Sequence, residues 1–198
     1  MHSLFMTQVY QKKISFPLAD LKQEITQTMQ VDQAGQKWSK KNYPHGYTSY
    51  GSMDQMHKMS STFESLQKKI DSHVEIFVKK LEFNITSRAL KMNSCWINVM
   101  PPNAVHAAHI HPHSVISGSF YVDLPPRSSA IKLEDPRLGL FMNAPEVKST
   151  AALHNKRFIS LLPLPGDVIL FESWLKHEVP MNTSLKPRIS VSFNYGWK

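Results

Sequence analysis

From Arg188 to Tyr195 polar and apolar residues alternate without a break: Arg188, Ser190, Ser192 and Asn194 in one register, Ile189, Val191, Phe193 and Tyr195 in the other. Only an extended chain sends every second side chain to the same side, so this segment is a strand with one polar and one buried face. An arginine pointing into a barrel demands an anion. Its planar fork takes a carboxylate through two parallel hydrogen bonds, and the hydroxyl of Ser190 two residues on can add a third.

The chain upstream carries the second constraint. Four histidines, His106, His109, His111 and His113, fall within eight residues, and His177 lies eleven residues before Arg188. His109 and His111 are two apart, so in an extended segment both leave one face and can grip a single ion. His177 can supply the third ligand from a distant strand, as antiparallel barrels do. Imidazole suits iron, nickel, copper and zinc, and three ligands leave coordination positions open for substrate or oxygen, which a closed structural site does not. For the cluster alone, a surface loop that binds metal opportunistically is an equal alternative. His177 and Arg188 argue against it. His106 and His113 are expected beside the ligands or at the surface, and Pro112 stiffens the chain next to the pair.

The first half reads differently. Residues 1–90 are helix-leaning and polar, whereas residues 91–198 are short apolar runs punctuated by Pro and Gly, which implies helices packed on a strand-built core. The firmest helix spans residues 62–80, with Met59, Phe63, Leu66, Ile70, Val74, Phe77 and Leu81 forming one apolar stripe and Ser61 and Glu64 a capping box. A shorter helix covers residues 18–29. Residues 38–51 between them are rich in aromatics, glycine and polar groups, a composition suited to a loop over a site mouth. Tyr47, Thr48 and Tyr50 are its candidates for substrate contact, against the plainer reading of tyrosines packed on a barrel rim. Residues 135–155 read as a long irregular excursion that can border the same pocket.

With 198 residues, 41% of them apolar, one substantial core is expected. The net charge of +8 is spread evenly: residues 1–90 carry 12 Lys and Arg against 8 Asp and Glu, residues 91–198 carry 11 against 7. That distribution argues against a nucleic-acid-binding arm and weakly favours an acidic substrate. The single cysteine, Cys95, excludes an intrachain disulfide framework and is expected to be buried and inert. There is no leader-like N-terminus and no apolar run of membrane-spanning length, so the expected location is cytoplasmic, without a membrane partner. A homodimer is the base-rate expectation for a soluble enzyme.

Four stretches carry a family resemblance: Trp-Ile-Asn-Val from Trp96, residues 109–122 with the His109-Ile-His111 pair, residues 171–179 around His177, and Arg188-Ile-Ser190-Val-Ser-Phe-Asn194. Together with Gly46-Tyr-Thr-Ser-Tyr50 they resemble a bacterial and phage branch of the 2-oxoglutarate and Fe(II)-dependent oxygenases, prolyl-hydroxylase-like. The resemblance implies an α+β fold: a double-stranded β-helix (jelly-roll) core over residues 91–198, with the N-terminal helices of residues 1–90 packed on one sheet, as a single domain 1–198. It also implies a dioxygenase of hydroxylase type that uses Fe(II), or another divalent metal, and converts 2-oxoglutarate to succinate. His109, His111 and His177 would hold the metal. Arg188 and Ser190 would take the far carboxylate of 2-oxoglutarate, with Tyr121 and Asn98 assisting. Tyr47, Tyr50 and Trp96 are the residues for a small-molecule or peptide substrate, and dioxygen is the third reactant.

The chain departs from the family at one ligand. The usual first motif is His-x-Asp or His-x-Glu, and here it is His-x-His, which leaves three neutral imidazoles and a changed metal preference. Asp123, on the strand of Tyr121, is a candidate replacement. Two other readings stay open: a cupin-type metalloenzyme with three histidines, which has no general need for Arg188 and Ser190, and a non-catalytic jelly roll that binds a carboxylated ligand.

Overall fold

The computed structural model describes residues 2–86 and 89–197. Its elements run β1 (Val9–Lys13), α1 (Leu18–Val31), α2 (Gln33–Asn42), β2 (Tyr47–Thr48), α3 (Met56–Met59), α4 (Ser61–Lys80), β3 (Leu90–Met100), β4 (His106–His109), β5 (Ile116–Asp123), β6 (Ile131–Glu134), β7 (Phe158–Leu161), β8 (Asp167–Glu172), β9 (His177–Val179) and β10 (Arg188–Trp197). Six strands make one antiparallel sheet in the order β1-β8-β5-β10-β3-β2, and four make a second, β4-β9-β6-β7. This is the α+β double-stranded β-helix that the motifs imply, with helices on one sheet.

Alternation along each central strand divides its side chains between two cores. Ile189, Val191, Phe193 and Tyr195 of β10 join Ile97, Phe120, Val168 and Leu170 on the outer face of the larger sheet. There they meet Leu21 and Ile25 of α1 and Phe63, Leu66, Ile70, Val74 and Phe77 of α4. The intervening residues face the second sheet, where Tyr121, Ile169 and Phe171 pack with Ile131, Leu133 and Leu175. Between the sheets, the polar residues of β10 are therefore enclosed rather than solvated, and Arg188 is only 4% exposed.

Several sequence expectations need correction. Helix α4 begins one residue earlier than expected, because Ser60 rather than Ser61 is its cap and accepts from the Thr62 amide. Met59, assigned to the apolar stripe, lies before that cap and is 58% exposed. Strand β1 was not anticipated in the helix-leaning half; it pairs along β8 at the sheet edge. The expected loop of residues 38–51 begins inside α2, and its centre is β2, which pairs with β3. The excursion after β6 is irregular apart from two short 3-10 turns. It borders a separate cavity with the N-terminal segment, not the histidine cleft.

Candidate metal and carboxylate site

His109 and His177 sit directly opposite one another where β4 pairs with β9. His111 follows in the turn after β4, fixed by its backbone amide donating to the Ser173 carbonyl at 3.0 Å. One ligand atom from each of the three rings falls within 4.8 Å of the other two. The Nε2 atoms of His111 and His177 are 3.4 Å apart. Two nitrogens each about 2.0–2.1 Å from one ion stand roughly 3 Å apart or slightly more, so the pair is set for a shared ion.

Two of the rings are oriented by the backbone. Nδ1 of His109 lies 2.7 Å from the Ala107 carbonyl, and Nδ1 of His177 lies 2.9 Å from that of Leu175. A carbonyl only accepts, so each Nδ1 carries the proton and each Nε2 lone pair is left for a metal, the usual outer support of a histidine ligand. Burial and the neighbouring imidazoles push His111 down to about 3 and His177 to about 4, so both are neutral at ordinary pH. Neutral imidazole is the form that ligates.

A narrow cleft, with a cavity volume of about 40 Å³, runs from these rings to Arg188. Trp96 and Asn98 of β3, Tyr121 of β5 and Arg188, Ser190 and Ser192 of β10 line it, as their shared face requires, and no Asp or Glu does so among the described residues. The Arg188 guanidinium donates to Ser190 Oγ at 3.3 Å and lies 5.1 Å from the centre of the Tyr121 ring. Among the described residues it has no acidic partner. Its Nε, the Tyr121 hydroxyl and the Asn98 Oδ1 are all buried without a hydrogen-bond partner among the described residues. Buried polar atoms are seldom left unpaired, least of all on a cation. An acceptor-rich anion such as a carboxylate satisfies the two donors. The site therefore fits both a divalent ion and a carboxylate.

Other sequence candidates fall in different places. Trp96, buried in the cleft wall, is 5.9 Å from the His111 ring, and Tyr50, half exposed, packs edge-on against Trp96 at 5.1 Å without lining the cleft itself. Tyr47 is buried on the helix side, its hydroxyl donating to Asp32 at 2.8 Å, while Thr48 is held through its backbone by Ser39. Asn194, the last residue on the polar face of β10, accepts from Ser117 Oγ at 2.7 Å and lies outside the cleft. Asp123 cannot replace the missing acid: the register shift between Ile189 and Ser190 separates it from Tyr121, and it pairs with Lys22 of α1 at 2.5 Å.

Two further cleft residues are His106, expected beside the ligands or at the surface, and Tyr43, which the sequence did not single out. An irregularity in β4 between His106 and His109 brings His106 onto the ligand face, where it stacks on His109 at 4.7 Å. Tyr43, the residue that ends α2, packs against His106 at 5.3 Å and lines the cleft. A three-residue spacing in a strand places two side chains on opposite faces, so no periodicity signals the first. Only the tertiary path of α2 places the second.

The fold brings three convergent imidazoles and a buried guanidinium into one cleft of a double-stranded β-helix. A family model described as "Putative 2OG-Fe(II) oxygenase" matches residues 94–194, half of the chain and all of the cleft's strands that carry the ligands and Arg188. The chain belongs to the 2OG-Fe(II) oxygenases, whose cofactors are iron and 2-oxoglutarate. No curated protein sequence is significantly similar to it.

Solved structures agree in fold. A prolyl-4-hydroxylase from Pseudomonas putida matches with a TM-score of 0.64 at 11% identity, over 97% of this chain and 94% of that one. HygX from Streptomyces hygroscopicus, solved with nickel and 2-oxoglutarate, matches with a TM-score of 0.63 at 11% identity, over 98% and 84%. The epimerase SnoN of nogalamycin biosynthesis gives 0.66 at 12%, over 96% and 77%. At such identities the likeness concerns the fold alone.

Proposed function

We propose that this chain is a 2-oxoglutarate-dependent dioxygenase of hydroxylase type, with His109, His111 and His177 holding Fe(II) and Arg188, Ser190, Tyr121 and Asn98 holding the cosubstrate. The observation that carries this reading is Arg188: a buried guanidinium without an acidic partner among the described residues, in one cleft with three imidazoles. The ion, when bound with 2-oxoglutarate and dioxygen, supplies oxidising power that inserts one oxygen atom into a C–H bond and leaves succinate and carbon dioxide.

The chain's own residues position and protect. The Ala107 and Leu175 carbonyls keep two ligand rings in the metal-binding tautomer. Arg188 offers its fork, and Tyr121 its hydroxyl, to the carboxylate farthest from the metal. Asn98 Nδ2 donates one N–H to Ser192 Oγ at 3.0 Å and has its second N–H to offer the cosubstrate. Ile131, Phe171 and Val179 wall the cleft with apolar surface, which excludes water and strengthens the electrostatics inside. Trp96 in the cleft wall, and the half-exposed Tyr50 packed on it, are placed to orient the primary substrate. On this reading the helical part and the jelly roll work as one domain.

The family match supports an oxygenase over a three-histidine cupin, and the orphaned Arg188 supports a cosubstrate over a purely structural metal. Anaerobic addition of 2-oxoglutarate to the Fe(II)-loaded protein tests it. A visible charge-transfer band that is missing in Arg188→Met is expected; no band in the wild type overturns the assignment.

A further inference from the structure

Among the described residues, four polar atoms in or beside the cleft are buried without a partner, and one belongs to the helical half: the Tyr43 hydroxyl. Tyr43 is 6% exposed and lines the same cleft as Arg188 and Tyr121. Its ring is held on two sides. His106 packs against one, and on the other Gly46 leaves room that a Cβ would fill, since a side chain there would come within 2.2 Å of the ring. Burial pushes its hydroxyl up to about 12 while Arg188 pulls it partly back, so it remains a protonated donor near a cation.

Tyr43 O–H, Tyr121 O–H and Arg188 Nε–H are thus three unpaired donors in one cleft, next to a Ser190 hydroxyl that Arg188 already engages. A carboxylate has about four lone-pair sites on its two oxygens and can take several such donors at once. A phenol serving only as packing would be better replaced by phenylalanine, because an unpaired buried hydroxyl is destabilising.

We propose that Tyr43 is a positioning residue for the cosubstrate, donating its hydroxyl to the far carboxylate of 2-oxoglutarate, so that the helical half completes the pocket built by the jelly roll. This rests on the dioxygenase reading above. It adds a donor that lies outside the motif region of residues 94–194.

The test compares two ligands by calorimetry on Zn(II)-loaded protein: 2-oxoglutarate, and 2-oxobutyrate, which has the same chelating end but no far carboxylate. In Tyr43→Phe the affinity for 2-oxoglutarate falls about 10- to 100-fold, the range for a hydrogen bond to a charged group. Affinity for 2-oxobutyrate stays unchanged. The ligand-free variant melts no lower than wild type, whereas a purely structural hydroxyl would lower the melting temperature and leave both ligands unaffected. Gly46→Ala, which displaces the ring, shows the same selective loss. If wild type binds both ligands equally, the carboxylate pocket itself is wrong and this proposal falls with it. If wild type prefers 2-oxoglutarate, Arg188→Met abolishes the preference and Tyr43→Phe retains it, only the role of Tyr43 is overturned.

Discussion

Replacing Arg188 by methionine should move stability and ligand affinity in opposite directions. In the ligand-free protein the guanidinium is 4% exposed and, among the described residues, is compensated only by Ser190 Oγ at 3.3 Å and the Tyr121 ring. Such a cation over a ring is worth about 0.5–2 kcal/mol, whereas burying an ion without a counter-charge costs several kcal/mol. Methionine keeps most of the stem's packing and removes the charge, and exchanges of this kind stabilise by about 1–4 kcal/mol. At roughly 2–4 °C per kcal/mol for a chain of this size, the metal-free variant should melt higher. The same substitution removes the bidentate partner of the carboxylate, a loss of about 2–5 kcal/mol, so 2-oxoglutarate affinity should fall roughly 30-fold to several thousand-fold. Urea denaturation of the metal-free protein and calorimetry of the Zn(II)-loaded protein read the two effects. Arg188→Lys retains the charge without the fork, and should lose affinity with no gain in stability. A metal-free Arg188→Met that is less stable than wild type would mean that the guanidinium has a partner in the fold and is not waiting for a ligand.

Acid should weaken the metal-free fold well above the carboxylate range. His106, His111 and His177 are held down to about 3, 3 and 4 in the folded chain, chiefly by burial, against an ordinary value of 6.5. Below 6.5 the unfolded chain takes up protons that the folded chain refuses, so stability falls with pH, by up to about 1.4 kcal/mol per histidine per unit, down to the folded values. His57 and His73 are lowered too and add the same sign. A urea midpoint unchanged between pH 7 and pH 5 would contradict this. In α4, Ile70→Ala should cost about 2–5 kcal/mol because the side chain is fully buried, whereas Met59→Ala, at 58% exposure, should stay within about 0.5 kcal/mol. Equal urea midpoints for the two variants would show that the stripe is misplaced.

Periodicity carried most of what the sequence revealed. The two-residue alternation of β10 and the three-and-four spacing of α4 depend only on local geometry, and, Met59 apart, both placed their residues on the observed faces. The same alternation brought Tyr121 and Asn98 to the cleft. It misled wherever the register shifts. The irregularity in β4 turns His106 toward the ligands, and the one between Ile189 and Ser190 sends Asp123 to Lys22. Tyr47 was misread because its partner, Asp32, is fifteen residues away at the cap of α2, where it also accepts from Ser52 and the Gly35 amide. Composition alone could not distinguish that buried hub from a loop over a site mouth. Tyr43 escaped notice for a similar reason, since only the packing of α2 on the jelly roll carries it to Arg188.

Anomalous diffraction from crystals of the Co(II)-loaded protein grown with 2-oxoglutarate tests the central claim most directly. One ion should bond to Nε2 of His109, His111 and His177, with the far carboxylate on Arg188. An ion held elsewhere, or a cosubstrate whose far carboxylate lies in solvent, would contradict it.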